Sequence, residues 1–202
     1  MKKIFLSAVV MLVSVAGYAQ HAVGEVTLKP TVGLNIANVT KSDGADPRLG
    51  LAAGAELEYQ LADIVSLSGG AIYSMQGVKG NFEGVDGTIK LDYINIPILV
   101  NVYVVKGLAV KVGVQPGFMV NDKVNLTAGG TSVEVGLEEA FESAGVPEKV
   151  NKFDLSIPVG LSYEFNNIVI DGRYNFGTTK IIKGEEGNNS VFQLTLGYKF
   201  RL

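Results

Sequence analysis

Charged side chains at every second position of apolar stretches are the first candidates for a functional site in this sequence. Glu56 and Glu58 share one face of a strand, a spacing that suits a carboxylate pair in acid–base catalysis. Basic and acidic residues are balanced on such faces, however, and we therefore favour salt bridging over catalysis. The predicted charge network consists of Lys29, Glu56, Glu58, Lys111, Asp154, Glu164, Asp171, Arg173 and Lys199.

Nucleophilic and thiolate chemistry has little support in the composition. The chain of 202 residues contains no cysteine and a single histidine, His21. Without a cysteine or a second histidine, Cys–His pairs and zinc–thiolate sites are excluded. His21 lies close to the expected start of the mature chain, and we interpret it as an inert terminal residue. We therefore expect a non-enzymatic protein with no cofactor and no metal.

The stretch Val191–Phe200 shows which kind of element positions the charges. Its sequence, VFQLTLGYKF, alternates large apolar residues with polar or small ones, as in a strand with one oily face. Aromatic residues lie at both ends of that face with leucines between them, which suits a strand that crosses a bilayer. On the opposite face, Lys199 is expected to meet Glu56, Glu164 or Asp171.

The same alternation recurs along the chain and predicts an all-β fold, an eight-stranded antiparallel up-and-down transmembrane β-barrel. Its connections alternate between long and short, which is typical of outer loops and periplasmic turns. Pro97 predicts irregular pairing in the fourth strand, where the apolar phase also shifts after Tyr93, as at a β-bulge or at the end of the bilayer zone. The predicted strands are Val26–Ala37, Arg48–Gln60, Ile64–Gln76, Thr88–Val105, Leu108–Val120, Phe153–Phe165, 168–176 and Val191–Phe200.

The N-terminus predicts export from the cytoplasm. Two lysines precede the apolar run Ile4–Ala16, and small residues flank a cleavage site after Ala19. Residues 1–19 are therefore a predicted signal peptide, and residues 20–202 are expected to form the barrel. Loss of the two lysines changes the formal net charge from −3 to −5. Because nucleic-acid binding relies on positively charged surfaces, this acidic chain is not expected to bind nucleic acid.

Alternation by itself also fits a soluble, lipocalin-like barrel with its apolar face inside. Small residues and sign-balanced charges on the polar face favour a membrane barrel instead, as does a mean hydropathy of +0.27. An interior of eight strands is just wide enough for side chains, so we expect a lumen plugged by polar groups. Two aromatic belts are predicted, one of Tyr73, Phe118, Phe153, Phe176 and Phe192 and the other of Tyr59, Tyr163, Phe165, Tyr198 and Phe200.

The third long connection, residues 121–151, is the strongest candidate for a specific interaction. The composition of its segment Val135–Gly145 favours a short helix, and the connection is acidic. Loops on a rigid scaffold often carry binding, so this connection is the best single candidate for a protein or divalent-cation contact, although we favour the alternative of a solvated loop without a partner. The candidate interaction residues are Glu134, Glu138, Glu139 and Glu142.

Five motifs carry a resemblance to a known family: LDYINIPILVNVYV (Leu91–Val104), GVQPGFMVN (Gly113–Asn121), FDLSIPVGLSYEF (Phe153–Phe165), IDGRYNFGTTKI (Ile170–Ile181) and FQLTLGYKF (Phe192–Phe200). With them the sequence resembles the PorT-like outer-membrane β-barrel family of Bacteroidetes-type bacteria over essentially its whole mature length. This resemblance implies an outer-membrane location, contact with outer-membrane lipid and lipopolysaccharide, and insertion by the barrel assembly machinery. Such barrels commonly end on an aromatic residue, whereas here Arg201 and Leu202 follow Phe200.

Three functions remain open from the sequence. The first is a structural or adhesion and interaction role through the outer loops. The second is an accessory role in protein secretion, since one branch of the resembled family takes part in a secretion system. The third is a soluble periplasmic carrier of an apolar ligand.

Overall fold

The computed structural model describes residues 21–41, 44–82, 85–128, 131–143, 145, 149–182 and 186–202. The predicted signal peptide, residues 1–19, lies outside the described residues. The strands are β1 (Val26–Val39), β2 (Asp46–Ala62), β3 (Val65–Phe82), β4 (Val85–Asn95), β5 (Ile98–Val105), β6 (Leu108–Ala128), β7 (Thr131–Gly136), β8 (Phe153–Phe165), β9 (Ile168–Lys180), β10 (Asn188–Tyr198) and β11 (Phe200–Arg201), and the helix is α1 (Leu137–Ser143).

The strands close into a single antiparallel ring. β4 and β5 follow one another along the same wall, between β3 and β6, and β10 and β11 together lie beside β1. The ring closes where β1 pairs with β10, with Leu34 opposite Leu194. These findings confirm the predicted up-and-down barrel of eight strand positions, closed by the last strand against the first.

The two faces of the ring differ as the alternation predicts. Along β10, Leu194 and Leu196 are about half exposed on the outside, whereas Gln193 and Thr195 are buried inside. The side chains of both predicted aromatic belts are exposed on the outer surface. A lipocalin-like barrel would have its apolar face inside, so the structure disfavours the soluble-carrier alternative.

The tight turns at one end of the barrel are as predicted. Asn166 and Asn167, between β8 and β9, have φ angles of 48° and 70°, which asparagine tolerates better than most residues. Gly107, between β5 and β6, has a φ of 84°.

At the opposite end the strands are longer than predicted. Residues 78–82 and 85–87, which belong to a glycine-rich connection expected to be a loop, continue the ladder between β3 and β4. Most of the expected interruption 121–151 is also regular, because β6 continues to Ala128 and pairs with β7. Strand segments beyond the bilayer do not contact lipid and therefore need no apolar residue at every second position. The alternation pattern in the sequence consequently did not show these extensions.

The predicted short helix is present as α1 directly after β7. Leu137 at its start is buried against the end of the barrel. Within the part of the chain that the structure describes, no helix has the length and hydropathy that crossing a membrane requires.

The phase shift expected within the fourth predicted strand coincides with two features of the structure. Leu91, Tyr93, Leu99 and Asn101 are all buried, so odd-numbered residues face inward from Leu91 to Tyr103, whereas Val105 is exposed. Inward residues are apolar at Leu91 and Tyr93, and the register between β4 and β6 is irregular between Asp92 and Tyr93, as at a β-bulge. Pro97 interrupts the wall as predicted, between the end of β4 and the start of β5.

Several inward-facing glycines allow neighbouring strands to approach closely. A Cβ atom on Gly33 would lie 2.0 Å from the carbonyl oxygen of Leu194 and 2.5 Å from the Cα of Thr195. On the outer face of β9, by contrast, a Cβ on Gly172 would meet only the Cδ1 atom of Leu194, at 3.9 Å. The seam between β1 and β10 therefore requires glycine at position 33.

We predict that Gly33→Ala destabilises the barrel, because the added methyl group collides with backbone rather than with a flexible side chain. The expected cost is about 1–3 kcal/mol, as for other overpacked sites. The measurement is the midpoint of urea unfolding in lipid vesicles, followed by heat-dependent gel mobility. Gly172→Ala is the matched control and should keep the wild-type midpoint; equal midpoints for the two variants would contradict the assignment.

Candidate functional site

The middle of the lumen contains a group of five charged side chains, which we call the central cluster: Lys29, Glu56, Lys111, Asp171 and Arg173. The Nζ atom of Lys29 lies 2.6 Å from Glu56 Oε2, and Arg173 Nη1 lies 2.8 Å from Glu56 Oε1. Asp171 meets Lys111 at 2.5 Å and Arg173 Nε at 2.9 Å, with Lys29 at 3.6 Å. These residues come from β1, β2, β6 and β9, so the cluster joins walls that are distant along the sheet.

Each carboxylate of the central cluster is shared between several cations. Three cations face two carboxylates, and all five side chains are buried. A buried charge without a partner is costly, and each carboxylate here is placed between two or three cations. Loss of one carboxylate would therefore leave several cations without compensation.

A second group, the inner cluster, lies at the end with the tight turns and consists of His21, Glu58, Tyr103, Glu164 and Lys199. Lys199 Nζ lies 2.9 Å from Glu58 and 2.8 Å from Glu164, so it meets one of its three expected partners and one unexpected one. The hydroxyl of Tyr103 donates to Glu58 and accepts a hydrogen bond of 3.1 Å from Lys199.

The interpretation of His21 as an inert terminal residue is wrong. Its side chain is only 4% exposed. Nε2 lies 3.2 Å from both oxygens of Glu164, and Nδ1 lies 2.9 Å from Glu25. The hydrogen bond to Glu164 raises the pKa of His21 above 6.5, helped by the one to Glu25, against the opposing effects of burial and of Lys199.

The segment around His21 is held in place by further contacts. The amide of Gly24 donates to the carbonyl of Gln60, and the amide of Gln60 donates to the carbonyl of Glu25. Arg201, near the other terminus, lies 3.0 Å from the Glu25 carboxylate. The segment 21–25 and Arg201 therefore meet at the end of the barrel with the tight turns, and the sequence contained no signal for that.

Asp154, the remaining predicted network residue, lies apart from both clusters. Its Oδ1 atom accepts hydrogen bonds from Thr179 and Asn189. Asp92, which the predicted set omitted, pairs with Arg48 at 3.0 Å. Asp92 stands between two inward apolar residues at the point where the apolar phase shifts, so its burial was hidden from the alternation pattern.

The outer end of the lumen is covered by an apolar group, the mouth cluster, which consists of Leu91, Tyr93, Leu137, Val150 and Ile181. Leu137 belongs to α1, so the helix covers the strand ends. The hydroxyl of Tyr93 accepts a hydrogen bond of 3.1 Å from Asn189. Apolar side chains thus separate the charged lumen from the space above it.

The four candidate interaction residues do not form one site. Glu134 binds Lys90 and Lys123, and the hydrogen bonds from Lys123 and Lys90 lower the pKa of Glu134 to about 2. Glu138 lies 3.9 Å from Lys152. Among the described residues, Glu139 and Glu142 have no ion-pair partner, and no group of three or more His, Asp or Glu side chains is arranged to hold a metal ion.

The family of the chain follows from a comparison with family models. The model described as "Outer membrane protein beta-barrel domain" matches residues 18–183. The chain belongs to this family. An outer-membrane location follows from the family.

Solved structures similar to this outer membrane β-barrel are small barrels from other bacteria. Ail, the attachment invasion locus protein of Yersinia pestis in complex with the heparin analogue sucrose octasulfate, has 17% identity and a TM-score of 0.53, with 89% of this chain and all of Ail covered. Neisserial surface protein A has 11% identity and a TM-score of 0.49, with 87% and 97% covered. At these identities the likeness shows the fold alone. No curated protein sequence matches this chain significantly.

We predict that Asp171→Asn strongly destabilises the barrel, because three cations of the central cluster would then share one carboxylate. Breaking such a buried arrangement costs about 3–5 kcal/mol. The free energy of unfolding by urea in lipid vesicles is the measurement. Glu134→Gln removes a carboxylate that also meets two cations but lies on the surface, and its unfolding should match wild type. Equal free energies of unfolding for the two variants would show that the central cluster does not stabilise the barrel.

We predict that His21→Gln lowers stability in a pH-dependent way. A group whose pKa is raised on folding contributes most below its unfolded value and loses that contribution as the pH rises through its folded value. The variant should therefore be less stable than wild type at about pH 5.5, and the difference should decrease by about pH 9. Urea unfolding at both pH values tests this, and a deficit that grows with pH would contradict the assigned contacts.

Proposed function

We propose that this protein is a closed, non-conducting outer-membrane barrel with a structural or adhesion role, which presents its outer end to partners. The observation that carries the proposal is the filling of the lumen at three levels: the inner cluster, the central cluster and the mouth cluster. Functions that need a water-filled channel are disfavoured by this arrangement.

Side-chain burial supports the closed state. Arg173 and Lys29 are among the largest fully buried side chains of the described residues, although both carry charge. An ion moving through the lumen would have to separate their ion pairs, each of which replaces hydration that the charges have lost. Eight strands leave an interior that side chains fill, in agreement with this picture.

The outer end is the surface on which we place the interaction. At this end the chain continues beyond the lipid-facing residues in β6, β7 and α1. Within the described ranges, Glu139 and Glu142 on α1 have no ion-pair partner. The structural neighbour Ail is named for attachment, which supports an adhesion role by analogy. Lys90, Lys123 and Lys152 are each paired with carboxylates, so we favour a protein partner over a sulfated polysaccharide.

The finer identity of the protein rests on the sequence motifs. We propose that it is a PorT-like barrel from a Bacteroidetes-type bacterium, exported through residues 1–19, inserted by the barrel assembly machinery and surrounded by lipid and lipopolysaccharide. An accessory role in secretion is supported by that resemblance alone, and we rank it second. We propose no enzymatic activity, because the carboxylates of the two charged clusters are engaged in ion pairs and that of Asp154 accepts hydrogen bonds from Thr179 and Asn189.

We predict no stepwise conductance when the purified barrel is inserted into planar lipid bilayers, because buried side chains of the described residues occupy the lumen at all three clusters. Heat-dependent gel mobility of the same preparation controls for folding. Regular single-channel steps from the folded wild-type protein would contradict the closed-barrel proposal.

We further predict that Glu139→Gln with Glu142→Gln reduces attachment of cells that display the barrel to host-cell monolayers. The reason is the loss of two carboxylates that are available to a basic partner. Glu134→Gln, whose carboxylate already binds two lysines, is the matched control and should attach like wild type. Attachment that is independent of the barrel itself would exclude the adhesion role while leaving the closed lumen untouched.

A further inference from the structure

The apolar group at the outer mouth does not fill its space completely. A cavity of about 210 Å³ lies beside the mouth cluster, and its lining is almost entirely apolar. We call it the mouth pocket. The residues that define it here are Val78, Ile89, Leu91, Leu137, Phe141 and Ile181, with the carboxylate of Glu186 at its rim.

The mouth pocket differs from the central and inner clusters because its lining is almost entirely apolar, whereas those clusters consist of charged and polar side chains. Its walls come from β3, β4, α1 and the connection between β9 and β10. An apolar cavity of 150 Å³ in another protein is large enough to bind benzene. The mouth pocket therefore has the volume for one substituted ring or for two fused rings.

Hydrogen bonds fix the walls of the mouth pocket in advance of any ligand. The amide of Thr40 donates to the carbonyl of Asn188 at 2.9 Å, and the amide of Asn188 donates to the hydroxyl of Thr40 at 2.9 Å. The amide of Ile181 donates to the carbonyl of Gly187 at 3.0 Å. The first two bonds tie the end of β1 to the start of β10, and the third joins two residues between β9 and β10. A pre-formed pocket loses little conformational entropy on binding.

Charge at the rim selects against ionic ligands. Glu186 is the charged residue that lines the mouth pocket, and its carboxylate is paired with Lys41. A cationic ligand would have to displace Lys41, and an anionic ligand would approach the carboxylate directly. A neutral molecule meets neither obstacle and gains free energy from the burial of its apolar surface.

We propose that the mouth pocket binds a neutral apolar molecule of one or two rings that enters from the outer side. This site goes beyond the proposed function, since it adds a small-molecule ligand to a barrel that presents its outer end to proteins. The ligand is bound and not transported, because the buried ion pairs of the central cluster occupy the lumen farther from the outer end.

Methyl NMR of the barrel in lipid nanodiscs tests the proposal, with indole as the probe. Methyl signals of Ile89, Leu137 and Ile181 should shift and saturate as indole is added. Signals of the lipid-facing Val112 and Leu194 should shift only in proportion to the indole that dissolves in the lipid. Mouth-pocket signals that never saturate in wild type would overturn the proposal.

Two variants locate the binding. Val78→Phe places a ring in the mouth pocket and should weaken indole binding by at least about tenfold, which corresponds to 1.4 kcal/mol. Val112→Phe makes the same change on the lipid-facing surface and should bind like wild type. Binding unchanged by Val78→Phe would overturn the site.

A variant that enlarges the mouth pocket keeps the test decisive even where Val78→Phe does not fold. Phe141→Ala removes a ring from the lining and should shift the preference from indole towards the larger naphthalene. Saturation by neither compound in this variant would also overturn the proposal.

Discussion

Charged side chains buried in the lumen must be neutralised by one another, and this constraint organises the barrel. In the central cluster, Glu56 lies between Lys29 and Arg173, while Asp171 lies among all three cations. These partners reach each other only when the ring is closed and the walls are near. The close strand contacts at glycines such as Gly33 help to provide that proximity. The ion pairs of the central cluster therefore depend on closure of the ring.

The alternation of side chains predicted most of the fold. It assigned every residue of Gln193–Leu196 to the correct face, and the turn at Asn166 and Asn167 formed where expected. Ion-pair partners were harder to predict, because they depend on the relative heights of strands around the ring. Lys199 accordingly meets Glu58 as well as the expected Glu164.

The features that the sequence did not reveal lie at the two ends of the barrel. Beyond the bilayer there is no lipid-facing stripe, so the long β6–β7 extension looked like a loop. Leu91 and Tyr93 are apolar and face inward there, whereas within the bilayer the apolar residues of alternating strands face outward. His21 was misinterpreted because a position near a terminus says nothing about whether the segment folds back under the lumen. These ends close the lumen on both sides, so the parts that are hardest to predict are those that define the proposed function.

Solvent access to single introduced cysteines tests the closed lumen most directly, because the chain has no cysteine of its own. Gln193→Cys and Thr195→Cys probe the lumen, and Leu194→Cys and Leu196→Cys probe the lipid-facing surface. In the folded barrel in vesicles, the lumenal pair should resist both water-soluble and lipid-soluble thiol reagents and should react after unfolding in urea. The lipid-facing pair should react with the lipid-soluble reagent alone. Rapid reaction of the folded Thr195→Cys variant with the water-soluble reagent would show an open lumen and contradict this account.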